Sequence, residues 1–147
     1  MKYLKRQSGF TLIEIMVVVV ILGILATIVI PKIVNRPDQA RLVKAKQDIL
    51  AIESSLQLYK LDNGVYPSTD QGLEALAAKP TSSPEPTEWH QYLKSLPKDP
   101  WGRPYQYLNP GLHSDVDIFT YGANGQPDGT GVNAVLGNWQ AETNAQG

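Results

Sequence analysis

One apolar run dominates the chain: between Phe10 and Ile30 a charge interrupts it only at Glu14. As a helix, those residues would span roughly 31 Å, about the hydrocarbon thickness of a bilayer. Beyond them, Pro31 and Pro37 are expected to bend or locally open the helix, since each lacks a backbone donor and crowds the preceding turn. From Asp38 the pattern becomes one-sided. Leu42, Ala45, Ile49, Ile52, Leu56 and Tyr59 recur at spacings of three and four, a stripe that Val43, Leu50 and Leu61 are expected to widen. Asn63-Gly64 then supplies a stop. The pattern therefore predicts a long helix over residues 10–62, roughly 80 Å if straight, with 10–30 as its membrane-spanning part.

Residues 63–147 read as a small, turn-rich head. Asp70 to Leu76 and Glu88 to Leu96 are each expected to form a short helix, on either side of a loop holding Pro80, Pro84 and Pro86. Turn formers cluster from Leu96 to Pro104 around Trp101. Tyr105 to Leu108 and Val116 to Tyr121 read as strands separated by Asn109-Pro110-Gly111. A long Gly/Asn loop follows from Gly122 to Gly137, and Trp139 closes the region as a final short strand or anchor. The expected class is α+β, with two or three antiparallel strands covering the stripe of the long helix.

Composition adds three limits. The 147 residues leave room for one domain, and much of the 42% hydrophobic content lies before Pro31, so the head has only a modest core. There is no cysteine, hence neither a disulfide nor a thiolate metal site. The net charge of −1 hides an asymmetry: residues 32–60 carry six cations against three acids, residues 61–147 four cations against ten acids. Opposite signs on two parts of one chain suit a polymer whose heads pack against neighbouring stems, although two solvated surfaces would read the same way. The basic stretch has little aromatic interleaving, which argues against nucleic acid as a partner.

The N-terminus carries the sharpest chemistry. Lys2, Lys5 and Arg6 precede the apolar run, as in a signal that keeps this end cytoplasmic. An ordinary secretory signal places its small residue after the apolar stretch; here Gly9 comes before it. A cut after Gly9 leaves the hydrophobic segment on the mature protein, with Phe10 as its first residue. Glu14, a carboxylate in an apolar helix, either snorkels to the interface or pairs with a cation, the α-amine of Phe10 in the same or a neighbouring subunit. The run K-R-Q-S-G-F-T-L-I-E resembles the class III leader of type IV pilins and pseudopilins. That resemblance implies cleavage after Gly9 by a membrane-embedded prepilin peptidase, N-methylation of Phe10, and assembly into a helical filament in which Glu14 takes part. It implies a pilin-like fold.

The head carries a narrower resemblance. Y-P-S-T-D-Q-G-L-E-A-L, L-P-K-D-P-W-G-R-P-Y-Q-Y-L-N-P-G, D-I-F-T-Y-G-A-N-G and G-N-W are similar to the major pseudopilins of bacterial type II secretion systems. A structural subunit of a periplasmic pseudopilus is then expected, anchored in the Gram-negative inner membrane. Its partners would be copies of itself, minor pseudopilins and an inner-membrane assembly platform. A type IV pilus subunit and a monomeric membrane-tethered binding module are the alternatives.

The same resemblance implies a calcium site in the loop that starts at Tyr121, and there the chain departs from the pattern. Asn124 and Val135 stand where acids are expected, leaving Tyr121, Asn124, Asp128, Thr130 and Asn133 with backbone carbonyls as the candidate set. Calcium affinity tracks carboxylate count, so the departures weigh against the ion unless Asp128 replaces the lost charge. Asn124-Gly125 and Asp128-Gly129 also read simply as turn dipeptides. No other cofactor is indicated. Asp115 and Asp117 are expected on a solvated strand face rather than as an acid/base pair, and His113, Ser114 and Asp115 are too close in sequence to make a triad. Trp89, Trp101 and Trp139 read as core and loop anchors. No enzymatic motif is present, and an enzyme is not expected.

Overall fold

The computed structural model describes residues 9–34 and 36–140, and side chains outside 27–36. The leader residues 1–8 lie outside the described residues. The chain divides into two compact units, residues 1–37 and 38–147. The first holds helix α1, Leu12–Val34, which runs through Pro31. Every large apolar side chain described from Phe10 to Leu25 is at least 50% exposed, so this helix has no protein core of its own. Among the described residues no helix is long and apolar enough to cross a membrane.

Helix α2, Arg36–Asn63, follows, with Pro37 in its first turn, where a missing N–H removes no intrahelical bond. One face of α2 is the foundation of the second unit. Ala45, Ile49, Ile52, Leu56 and Tyr59 are buried, with Leu42 packed partly against them. The expected widening of this face does not occur. Val43 and Leu61 are 54% and 79% exposed, and Leu50 is exposed too. At about 100° per residue they fall roughly 140–160° from the centre of the stripe, on the opposite side of the helix. With Leu58 they form a second, outward apolar stripe.

The sheet has three antiparallel strands in the order of the sequence: β1, Gln106–Leu108, β2, Asp117–Thr120, and β3, Leu136–Gly137. Tyr107 faces Ile118, and Phe119 pairs with both Gln106 and Gly137. Tyr105, Tyr107, Val116, Ile118 and Leu136 join the α2 stripe in one hydrophobic cluster. The architecture is α+β, as expected. The strands are shorter than the sequence pattern predicts, and side chains supply much of what a longer ladder would. Tyr105 Oη donates to Asp48 Oδ2 on α2 (2.9 Å), and Asn138 Nδ2 donates to Glu53 Oε1 (3.3 Å) and to the Val116 carbonyl (3.0 Å).

Two expected helices turn out differently. Asp70 to Leu76 yields only a 3₁₀ turn at Leu73–Leu76, while Gln71, buried beside it, donates to the carbonyls of Ser82 and Pro84. Glu88 to Leu96 forms no helix. Its amides are engaged elsewhere: the N–H groups of Tyr92 and Leu93 both donate to the Leu76 carbonyl, and Trp89 Nε1 donates to Ala75. An external acceptor thus replaces the i−4 carbonyl that a helix requires.

The two faces of α2 should respond differently to truncation. Leu56→Ala, which empties a fully buried site, is expected to destabilise the full chain in detergent by about 2–5 kcal/mol. Leu58→Ala, on the outward stripe, should stay within about 0.5 kcal/mol. Urea unfolding followed by tryptophan fluorescence reads both.

Candidate functional site

Three local constructions carry the candidate chemistry. The first opens α1. Thr11 caps the helix: its N–H donates to Glu14 Oε2 (2.8 Å), its hydroxyl to the same oxygen (3.1 Å), and the Glu14 N–H approaches Thr11 Oγ1 (3.3 Å). This reciprocal pair is a capping box, and the T-x-x-E spacing that announces it is legible in the sequence. Neither snorkelling nor pairing with the Phe10 α-amine includes Thr11, the local partner of Glu14 in this structure. Gly9 and Phe10 are exposed just before the cap, and among the described residues no atom outside the neighbours of Gly9 comes within 4 Å of where its Cβ would sit.

The second construction surrounds Asp117 at the start of β2. Contrary to the expectation of a solvated strand face, Asp117 is only 1% exposed, whereas Asp115 is exposed and lies 3.5 Å from Lys60 Nζ. The alternation fails because the strand begins only at Asp117, so Asp115 belongs to the preceding turn. The Asp117 carboxylate accepts from the N–H groups of Leu112 (2.8 Å), His113 (3.2 Å) and Ser114 (3.1 Å), and His113 Nδ1 lies 2.9 Å from Oδ2. Burial by itself pushes this carboxyl up. The His113 hydrogen bond and the three backbone donors outweigh it and hold the group below the ordinary carboxylate range. His113 in turn stacks on Trp139, ring centroids 4.0 Å apart. Ser114 Oγ donates to the Val116 carbonyl (2.8 Å), so these residues anchor a turn rather than poise a nucleophile.

Comparison with known proteins places the chain. The family model described as type II secretion system protein G matches residues 32–139, and the prokaryotic N-terminal methylation motif matches residues 4–30. The chain belongs to the type II secretion system protein G family. It is 58% identical to the type II secretion system core protein G of Pseudomonas aeruginosa, covering 92% of this chain and 96% of that one. The corresponding protein of Vibrio cholerae is 55% identical, covering 97% and 98%. A crystal structure of the major pseudopilin of enterohaemorrhagic Escherichia coli superposes with a TM-score of 0.65 at 47% identity, over 73% of this chain and 93% of that one. The pilin-like fold read from the leader thus has a solved counterpart.

The third construction is the loop in which this protein G family member departs from the calcium pattern. The loop closes on itself through the Ala123 N–H to the Val132 carbonyl (2.8 Å) and a 3₁₀ turn at Gly131–Asn133. Asn124 Oδ1 accepts from the Gln126 N–H (3.1 Å), and its Nδ2 donates to the Asp128 carbonyl (3.4 Å). Asn124 is thereby used as a turn residue, while Asp128 and Thr130 are exposed on the rim and Tyr121 packs edge-on against Phe119. Among the described residues no three His, Cys, Asp or Glu side chains gather as a metal cluster. With Asp128 as its one carboxylate and Asn124 engaged locally, this donor set does not fit a calcium ion.

The Asp117 cluster generates a pH prediction. Its folded pKa lies below the unfolded value of about 3.9, so its contribution is complete above that value and is lost as pH falls through the folded pKa. Acid unfolding of the full chain should therefore steepen below about pH 4. Asp117→Asn should lack this component and lose about 2–3 kcal/mol at neutral pH, because an amide cannot accept all these donors. Circular dichroism against pH measures both effects.

Proposed function

We propose that this chain is the principal structural subunit of a type II secretion pseudopilus, a helical filament that drives folded proteins across the outer membrane. The observation that carries the reading is the pairing of a family match through the head with an N-terminal helix that exposes all its described apolar side chains behind a single carboxylate. Residues 1–9 are a leader removed after Gly9 by prepilin peptidase on the cytoplasmic side, and Phe10 is then methylated. Residues 10–30 hold the subunit in the inner membrane until assembly, and residues 63–147 form the periplasmic head. In the filament, α1 exchanges lipid for the apolar helices of neighbouring copies, and the outward stripe of α2 offers a second surface for the same purpose. Minor pseudopilins and an inner-membrane platform start and drive the polymer. The role is structural rather than enzymatic.

Glu14 has two separable duties in this reading. Locally it completes the capping box; in the filament it neutralises a Phe10 α-amine in surroundings of low dielectric, where stranding one charge costs about 3–5 kcal/mol. Glutamine retains the cap but not the charge. Glu14→Gln and Glu14→Leu should both be processed and inserted, yet form few filaments by electron microscopy and secrete little. Normal filaments from Glu14→Gln would leave capping as the residue's whole role. Gly9→Val should leave the leader attached, and mass spectrometry of the native polymer should find methylated Phe10 first. An intact Met1 on assembled filaments would refute the pilin reading.

A further inference from the structure

The loop from Gly122 already contains a cation, contributed by a side chain rather than by solvent. Arg103 leaves the Asp99–Arg103 turn and lays its guanidinium against the start of the loop. Nη2 donates to the Gly122 carbonyl, and Nη1 to the Ala123 carbonyl (3.3 Å). The backbone is shaped to receive it. At Gly125, φ is +69° and a Cβ would come within 2.8 Å of Arg103 Nη1. Behind the guanidinium lies a carboxylate whose side chain is fully buried. Asp99 Oδ2 is 3.7 Å from Arg103 Nε and accepts from Thr120 Oγ1 at the end of β2 (2.6 Å). Its Oδ1 accepts from the N–H groups of Trp101 (3.0 Å) and Arg103 (2.8 Å).

We propose that Arg103 is the resident cation of this loop, doing with its guanidinium what a bound calcium ion would do in a loop richer in acids. The chemical parallel is close. A hard cation is held by carbonyl oxygens and balanced by carboxylates; here two consecutive carbonyls and one buried carboxylate converge on a permanent positive charge. The planar fork suits two neighbouring acceptors, and repulsion from it disfavours a second cation in the same pocket. The missing acids and the guanidinium are then one adaptation. Asn124 and Val135 remove the negative charge that a divalent ion needs, and a monovalent side chain takes over what remains.

The test uses the full chain in detergent. The unmodified protein should melt at the same temperature, within about 1 °C, in EGTA and in about 5 mM calcium, a concentration that loads even weak extracellular calcium modules. Arg103→Gln should lower the melting temperature by about 5 °C and speed protease cleavage within residues 122–137 severalfold. Arg103→Lys, which keeps the charge but loses the fork, should fall between them. A calcium-dependent rise of several degrees in the unmodified chain would overturn the proposal. So would an Arg103→Gln protein whose melting temperature and loop cleavage both match the parent.

Discussion

Burial of a single stripe on α2 is the constraint on which the compact unit depends. Helical spacing puts Ala45, Ile49, Ile52, Leu56 and Tyr59 in one line, and among the described residues of this unit no other long helix covers it. Three short strands and a winding loop must do so instead. Strands of two to four residues bring few ladder hydrogen bonds and leave many backbone groups of the connecting loops to be satisfied. The remaining structure is largely the answer to that need.

Buried polar side chains provide the answer. Asn138 accepts from the Ile118 N–H (3.0 Å) through Oδ1, while its amide spans Val116, Ser114 and Glu53, so one residue joins β2, the turn before it and α2. Asp117 gathers the N–H groups of one turn, Asp99 those of another, and Gln71 bridges two carbonyls of the proline-rich loop. Among the described residues no buried side-chain polar atom is left without a partner. A network of this kind holds irregular backbone in one conformation because breaking any member strands a desolvated group.

The long-range plan was legible because it rests on periodicity. The apolar run, the α2 stripe, the first two strand regions and the leader motif each follow from spacing or from a short, specific pattern of residue types, whereas β3 lies at the end of the stretch expected to be loop. What escaped depended on partners distant in sequence. Nothing near Glu88–Leu96 announces that Leu76 will accept two of its amides. The burial of Asp117 likewise follows from where β2 starts, and there the strand pairs with Leu108 of β1. Val43, Leu50 and Leu61 depart from expectation for a different reason: nearness in sequence to a stripe does not place a residue on it, and the helical angle puts these three on the opposite side. Thr11 escapes any reading of Glu14 by charge, because the capping partner is neutral. At Arg103 the sequence shows a cation within a turn, and only the fold reveals that the turn faces the loop.

The two opposed stripes of α2 have a consequence for how such a protein can change over generations. Substitutions that share no contacts combine almost additively. Val43, Leu50, Leu58 and Leu61 face away from the core cluster, so alterations there are energetically independent of the residues that hold the unit together. Variation on the outward side can therefore accumulate without a compensating change inside. One helix thus presents selection with two traits that can be adjusted separately.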